Sequence, residues 1–288
     1  MSIVSAVLRN RHLVSREIIS LTPAHQSVPQ LVPLSGRYLA VWFETRGEGA
    51  VTRRAILDGA GNRLTPVVET DGRAIAVESI GESALILTTT DYAKAVATQL
   101  DGNGEVLSTS SITTTEAAVV WAGTHYLVAW SAYDVHRRES SMFTSIITTA
   151  GTTTLPRRVE VSNLAERMSN SSPVLAFDGN NVLMAWTTSV DPEWPVIGPH
   201  AATSVAVLLS PSGTALQTVP AVVVADEWAG RQSLASSGAE FLLVTADIRG
   251  GGKIRATTIV PAATGLSVEK SRDLFLTASP SRRRSAAR

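Results

Sequence analysis

Tyr126-Leu-Val-Ala-Trp130 decides the fold because it is repeated. Val182-Leu-Met-Ala-Trp186, Tyr38-Leu-Ala-Val-Trp42, Ala84-Leu-Ile-Leu-Thr88 and Phe241-Leu-Leu-Val-Thr245 are versions of the same apolar phrase. In chain order their first residues are 46, 42, 56 and 59 positions apart. A period of this size marks one supersecondary unit copied along a chain. Before each phrase stands a short apolar segment that ends in turn residues, as in Pro173-Val-Leu-Ala-Phe-Asp-Gly179. After it come a polar loop, an alternating strand such as Ala93-Lys-Ala-Val-Ala-Thr-Gln-Leu100, a glycine turn and a last strand such as Glu105-Val-Leu-Ser-Thr109. That grammar gives four short strands per copy. Thr, Val and Gly are dense throughout and no long stripe of 3.6-residue period appears, so helices are not expected.

The turn between third and fourth strands is the best marked. It reads Asp58-Gly-Ala-Gly61, Asp101-Gly-Asn-Gly104, Ala150-Gly151, Ser212-Gly213 and Thr264-Gly265. Glycine reaches positive φ without steric cost, and Asp bonds the backbone that follows it. A calcium loop needs six or more oxygens. One Asp per turn, absent from three of the five copies, reads as a hairpin.

Four-stranded units of this period predict an all-β fold, a β-propeller of four-stranded antiparallel blades. The complete blades run roughly 26–70, 71–111, 112–163, 170–226 and 228–272 in a single domain, residues 1–288. The first strand of each would be innermost. The apolar phrase would be second, buried on both faces between neighbouring blades, with Trp42, Trp130 and Trp186 packed between sheets. Partial blades flank the five. Residues 1–22 read as a third and fourth strand, and residues 279–288 as a first strand. Either the chain is a piece of a longer protein, or the two ends share a reduced sixth blade. The first is the expectation carried forward, with a parent ring of six or more.

The pattern Ala-x-x-Gly-x-x-Tyr-Leu-Val-Ala-Trp is clearest at Val120–Trp130 and Ala176–Trp186. Through it the chain resembles the degenerate propeller-like repeats of large exported or surface-attached bacterial proteins, over nearly its whole length. The resemblance implies export and a binding or structural role, and names no substrate. No Gly-Gly doublet recurs as in kelch repeats, no His and Trp-Asp pairing recurs as in WD40 repeats, and no Ser-x-Asp-x-Gly-x-x-Trp box of sialidases is present.

Composition narrows the chemistry. The 288 residues carry 25 basic and 25 acidic side chains, so no overall basic charge is available to displace the counterions of a nucleic acid. There is no cysteine, which removes disulfides, thiolate metal sites and a cysteine nucleophile. No stretch reaches the roughly 20 apolar residues of a membrane-spanning helix. Met1–Leu13 carries Arg9 and Arg11 inside its apolar stretch and does not read as a signal peptide. Export would therefore place this sequence inside a longer precursor.

Catalytic motifs are wanting. His12, His25, His125, His136 and His200 are scattered, with none at the spacing of a helical zinc site. Ser267-Val-Glu-Lys270 matches a Ser-x-x-Lys spacing but should lie on a strand. Asn170-Ser-Ser172 is a glycosylation sequon by pattern. Arg282-Arg-Arg284 with Arg288 reads as the charged edge of a terminal strand.

Two patterns remain. An acidic residue follows every second strand, namely Glu44, Asp91, Asp134, Asp191 and Asp247. Gathered on one face of a ring, they would attract a cation or a basic ligand. Arg46, Lys94, Arg137, Arg138, Arg249 and Lys253 share these loops, so a solvated and self-neutralised rim is the stronger reading. The longest loop, Thr187 to Ala202, holds Asp191, Trp194, two prolines beside it and His200, a composition that suits a recognition loop and equally a merely tolerated insertion. The expected function is a noncatalytic binding or scaffold module for an unknown protein or carbohydrate, without metal or cofactor. The alternatives are a carbohydrate-active propeller enzyme using two loop carboxylates, and an intracellular protein-interaction propeller.

Overall fold

Every regular element is a strand in the computed structural model, which describes residues 2–9, 12–21, 25–26, 29–47, 49–90, 94–114, 116–134, 136, 139–161, 168–190, 202–217, 219–224, 231–247, 253–262 and 265–275. Strands pair antiparallel with their neighbours in sequence, in a first-to-fourth order that repeats five times. Blade 2 shows the plan: Arg73–Ser79, Ala84–Thr89, Ala95–Leu100 and Val106–Ile112. Blade 3 uses Ala117–Trp121, His125–Asp134, Glu139–Thr148 and the short Arg157–Arg158. Blade 4 uses Met168–Phe177, Val182–Val190, Ala202–Leu209 and Ala221–Val224. Blade 5 uses Arg231–Ser236, Phe241–Asp247, Lys253–Ala262 and Gly265–Phe275.

Blade 1 departs from the expected four. Its first strand is broken into His25–Gln26 and Gln30–Leu34, which pair with the far and near parts of the same second strand, Arg37–Arg46. Gly49–Leu57 and Val68–Asp71 complete it. At the N-terminus Ser2–Arg9 and His12–Leu21 form a separate two-stranded antiparallel sheet. The other expected partial blade, 279–288, lies outside the described residues.

The hairpin turns form as their residues dictate. Asp58 Oδ1 accepts from the backbone N–H of Ala60 and of Asn62, both at 2.8 Å, and Gly61 takes φ +82°. Asp101 repeats the device with Asn103 and Glu105 at 2.8 and 2.9 Å, and Gly104 takes φ +84°. The Asn62 side-chain amide, which donates to Asp58 Oδ2 at 2.8 Å, and then these backbone bonds favour the ionised form of Asp58, as the backbone bonds do for Asp101, so both carboxyls sit below their ordinary range. The oxygens of these aspartates thus close turns.

Chain contacts divide the molecule into two compact units, Met1–Val128 with Ser145–Pro156, and Ala129–Thr144 with Arg157–Arg288. Within each, sheets stack face to face by one rule. Where consecutive blades meet, the second and fourth residues of one apolar phrase face the first and third of the next. In the first unit Leu39 and Val41 meet Ala84 and Ile86 in a single core. In the second, Leu183 and Ala185 meet Phe241 and Leu243. Trp42, Trp130 and Trp186 are all buried, and Trp42 packs with Ala40, Ala55 and Leu57 of its own blade. Trp130 stacks on Phe143, with ring centroids 6.0 Å apart.

Candidate functional site

The loop acids are the first test of a site. Glu44 is not in a loop: its strand runs on to Arg46, two residues beyond it. It faces Val51 across the sheet and is fully buried. Arg53 Nε lies 3.1 Å from Glu44 Oε2, and Arg53 Nη2 lies 2.6 Å from Glu69 Oε1. The Nε–H is not aligned on the carboxylate as a hydrogen bond, so proximity of charge holds the pair. The expectation that Glu44 belongs to an exposed rim is therefore corrected. Strand alternation continues past the apolar phrase because Arg53, two residues along its strand from the partner of Glu44, supplies the opposite charge. A buried carboxylate needs such a partner to stay ionised.

Asp134 is exposed and is the last residue of its strand, where Oδ1 accepts from the His136 backbone N–H at 2.9 Å. Asp247 is likewise the last residue of a strand, opposite Lys253 in register. Asp91, Asp191, Trp194 and His200 lie outside the described residues. His125 Nδ1 pairs with Thr124 Oγ1 at 2.9 Å. Ser267 and Lys270 stand on a strand, as expected. The sequon asparagine is used internally: Asn170 is buried, its Oδ1 accepts from Trp186 Nε1 at 2.9 Å, and its Nδ2 donates to Ser140 O at 2.5 Å. Among the described residues no group of three His, Cys, Asp or Glu side chains comes together to hold a metal ion.

One group that sequence reading missed stands out. Glu78 is in the first strand of blade 2, on the face turned to blade 3. Its carboxylate accepts from the Trp121 backbone N–H, yet loss of solvent outweighs that bond and pushes it up to about 7. Tyr126 is adjacent. Its hydroxyl lies 3.3 Å from Ser83 Oγ, its ring meets Trp121 edge-on at 5.1 Å, and burial together with the Glu78 charge raises its pKa. This is a half-buried carboxylic acid in an apolar seam, able to exchange a proton near neutrality. The only trace in the sequence is an acid in an otherwise apolar first strand, Ala74-Ile-Ala-Val-Glu-Ser79.

No protein-family model matches the chain, and no curated protein matches it in sequence. In structure it is similar to the GH93 α-L-arabinofuranosidase of Fusarium graminearum in complex with arabinobiose. Identity there is 10%, coverage is 87% of this chain and 80% of that one, and the TM-score is 0.54. The Fusarium enzyme Arb93A with an iminosugar inhibitor gives 10% identity, 83% and 79% coverage and a TM-score of 0.53. TolB from Acinetobacter baumannii gives 12% identity and a TM-score of 0.48 over 90% of this chain; the chain spans 58% of TolB's length. The likeness is one of fold. The chain has an all-β propeller fold built from four-stranded antiparallel blades.

Proposed function

We propose that this chain is a noncatalytic binding or structural module of an exported bacterial protein, serving a protein or carbohydrate ligand. The observation that carries the reading is the fate of the loop acids. Glu44 is consumed by Arg53, and Asp134 holds its own loop. Neither stands free to do acid–base work on a bound molecule. In this reading the contact surface is the loop with Asp191, Trp194 and His200, because a rigid aromatic anchor flanked by prolines suits recognition. Among the described residues no helix is long and apolar enough to cross a membrane.

The test is a glycan and metal-ion array that records both retention and turnover by the full chain. Retention without turnover supports the module, and turnover of any glycan overturns it. Trp194→Ala should weaken the retained ligand by about tenfold or more, as loss of an aromatic anchor does. Unchanged affinity removes the loop from the reading.

A carbohydrate-active reading has one observation in its favour, the Glu78 carboxyl held at about 7. A general acid is most effective at such a value, and α-L-arabinofuranosidase activity occurs on this fold in the Fusarium neighbour. A glycosidase also needs a second carboxylate about 5–10 Å away across an open cleft, whereas Glu78 is packed between two sheets. Loss of any measured turnover in Glu78→Gln would favour this reading.

A further inference from the structure

Blade 5 breaks the packing rule that the other blades obey. Leu39 and Val41, Leu85 and Leu87, Leu127 and Ala129, and Leu183 and Ala185 are the second and fourth residues of their phrases, and all are buried. The matching pair in blade 5 is Leu242 and Val244. Leu242 is 44% exposed where Leu183 is 0%, and Val244 is only half-buried. The strand therefore alternates, with Phe241, Leu243 and Thr245 buried against blade 4 and the intervening residues turned out.

The register extends this open face across the sheet. Leu242 pairs with Ala235 on one side and Thr258 on the other; Val244 pairs with Ser233 and Ala256; Ala246 pairs with Arg231 and Ile254. Small side chains alternate with aliphatic ones, the composition that lets two sheets approach closely. The face is apolar across its first three strands at Leu242, Val244, Ala256 and Thr258, and basic residues border it: Arg231 opposite Ala246, and Lys270 and Arg272 of the fourth strand opposite Thr258 and Ala256. The corresponding faces of blades 1 and 4 each receive another sheet, which inserts the first and third residues of its own phrase: Ala84 and Ile86 against blade 1, Phe241 and Leu243 against blade 4.

We propose that the open face of blade 5 is a docking surface for one further antiparallel blade of the same repeat, presenting large apolar side chains at the first and third positions of its phrase. The partner follows from continuity. The same repeat positions meet the same kind of surface in the blade 1–2 and blade 4–5 cores, and a flat apolar sheet face is matched by another twisted sheet. The inference is independent of what the module binds.

The chain has no cysteine, so Leu242→Cys gives a single thiol on this face. Its rate of maleimide labelling is measured in the full chain and in the full chain prolonged after Arg288 by a second copy of residues 228–275. Leu183→Cys serves as the buried control and Leu155→Cys, at 89% exposure, as the open one. The expected result is labelling of Leu242→Cys near the rate of Leu155→Cys in the chain itself, slowed about tenfold or more in the prolonged chain, because protection tracks burial. Equal rates in the two forms overturn the proposal. Slow labelling of the unprolonged chain at every concentration overturns it too, since the face is then already covered. Protection that grows with concentration, with a dimer in sedimentation, assigns the face to a second copy and also overturns it.

Discussion

The seam between blades 2 and 3 and the seam between blades 3 and 4 close on different polar chemistry. In the first, a carboxyl does the work: Glu78 takes the Trp121 N–H, beside the Tyr126 and Ser83 hydroxyls. In the second, a neutral amide does it: Asn170 binds Trp186 through Oδ1 and Ser140 through its backbone N–H at 2.6 Å and Nδ2 at 2.5 Å. Thr144 Oγ1 adds a bond to Gly213 O at 3.2 Å. An amide satisfies a buried donor without changing state between acid and base. A carboxyl satisfies it only at a solvation cost that varies with pH. One repeat therefore yields one seam that responds to pH and one that does not.

The comparison breaks first at Trp186. Truncating it to Ala removes a fully buried ring and leaves Asn170 Oδ1 without its donor. A loss of about 3–5 kcal/mol is expected in denaturant unfolding, equal at pH 5 and pH 8. A loss that depends strongly on pH would abolish the contrast.

Glu78 should govern the pH response. Its folded value of about 7 lies above its ordinary 4.5, so between these values the folded chain keeps a proton that the unfolded chain has lost. The stabilisation is full below about pH 4.5 and is lost as pH rises through about 7, by up to about 3 kcal/mol. Glu78→Gln should flatten this part of the stability profile and leave the protein more stable than the parent at pH 8. A profile with the same slope in the variant would reject the assignment.

Asn170→Ala should cost about 1–3 kcal/mol, the penalty for leaving the buried Trp186 Nε1–H donor and the Ser140 carbonyl acceptor unsatisfied, again without pH dependence. Tyr126→Phe should have the smallest effect, about 1 kcal/mol, because the hydroxyl makes a long 3.3 Å contact with Ser83. Thermal melts across pH 5–8 for all four variants would complete the contrast.

Much of this was legible in the residues. The apolar phrases and the glycine turns announced the sheets, because strand alternation and positive φ are local demands. The burial of Trp42, Trp130 and Trp186 followed from their shared position. Glu44 was misread because an acid beyond an apolar run ordinarily marks the end of a strand; the neighbour that changes this, Arg53, is contributed by the next strand. Glu78 was passed over for a related reason. On its own strand it reads as the polar member of an alternating pair, and only the blade that packs over it takes away its solvent. A solvation effect imposed by a partner more than forty residues onward has no local sequence signal, as the step from Glu78 to Trp121 shows.

Strands that pair only with their neighbours in sequence also set how the chain reaches this state. Each hairpin closes a short loop, so little chain entropy is lost before contacts form. Nucleation can begin at any well-marked turn, Asp58–Gly61 or Asp101–Gly104 among them, and spread sheet by sheet as in other repeat architectures. Blade 5, with only one apolar face covered, should then be the last to acquire hydrogen-exchange protection and the first to surrender it.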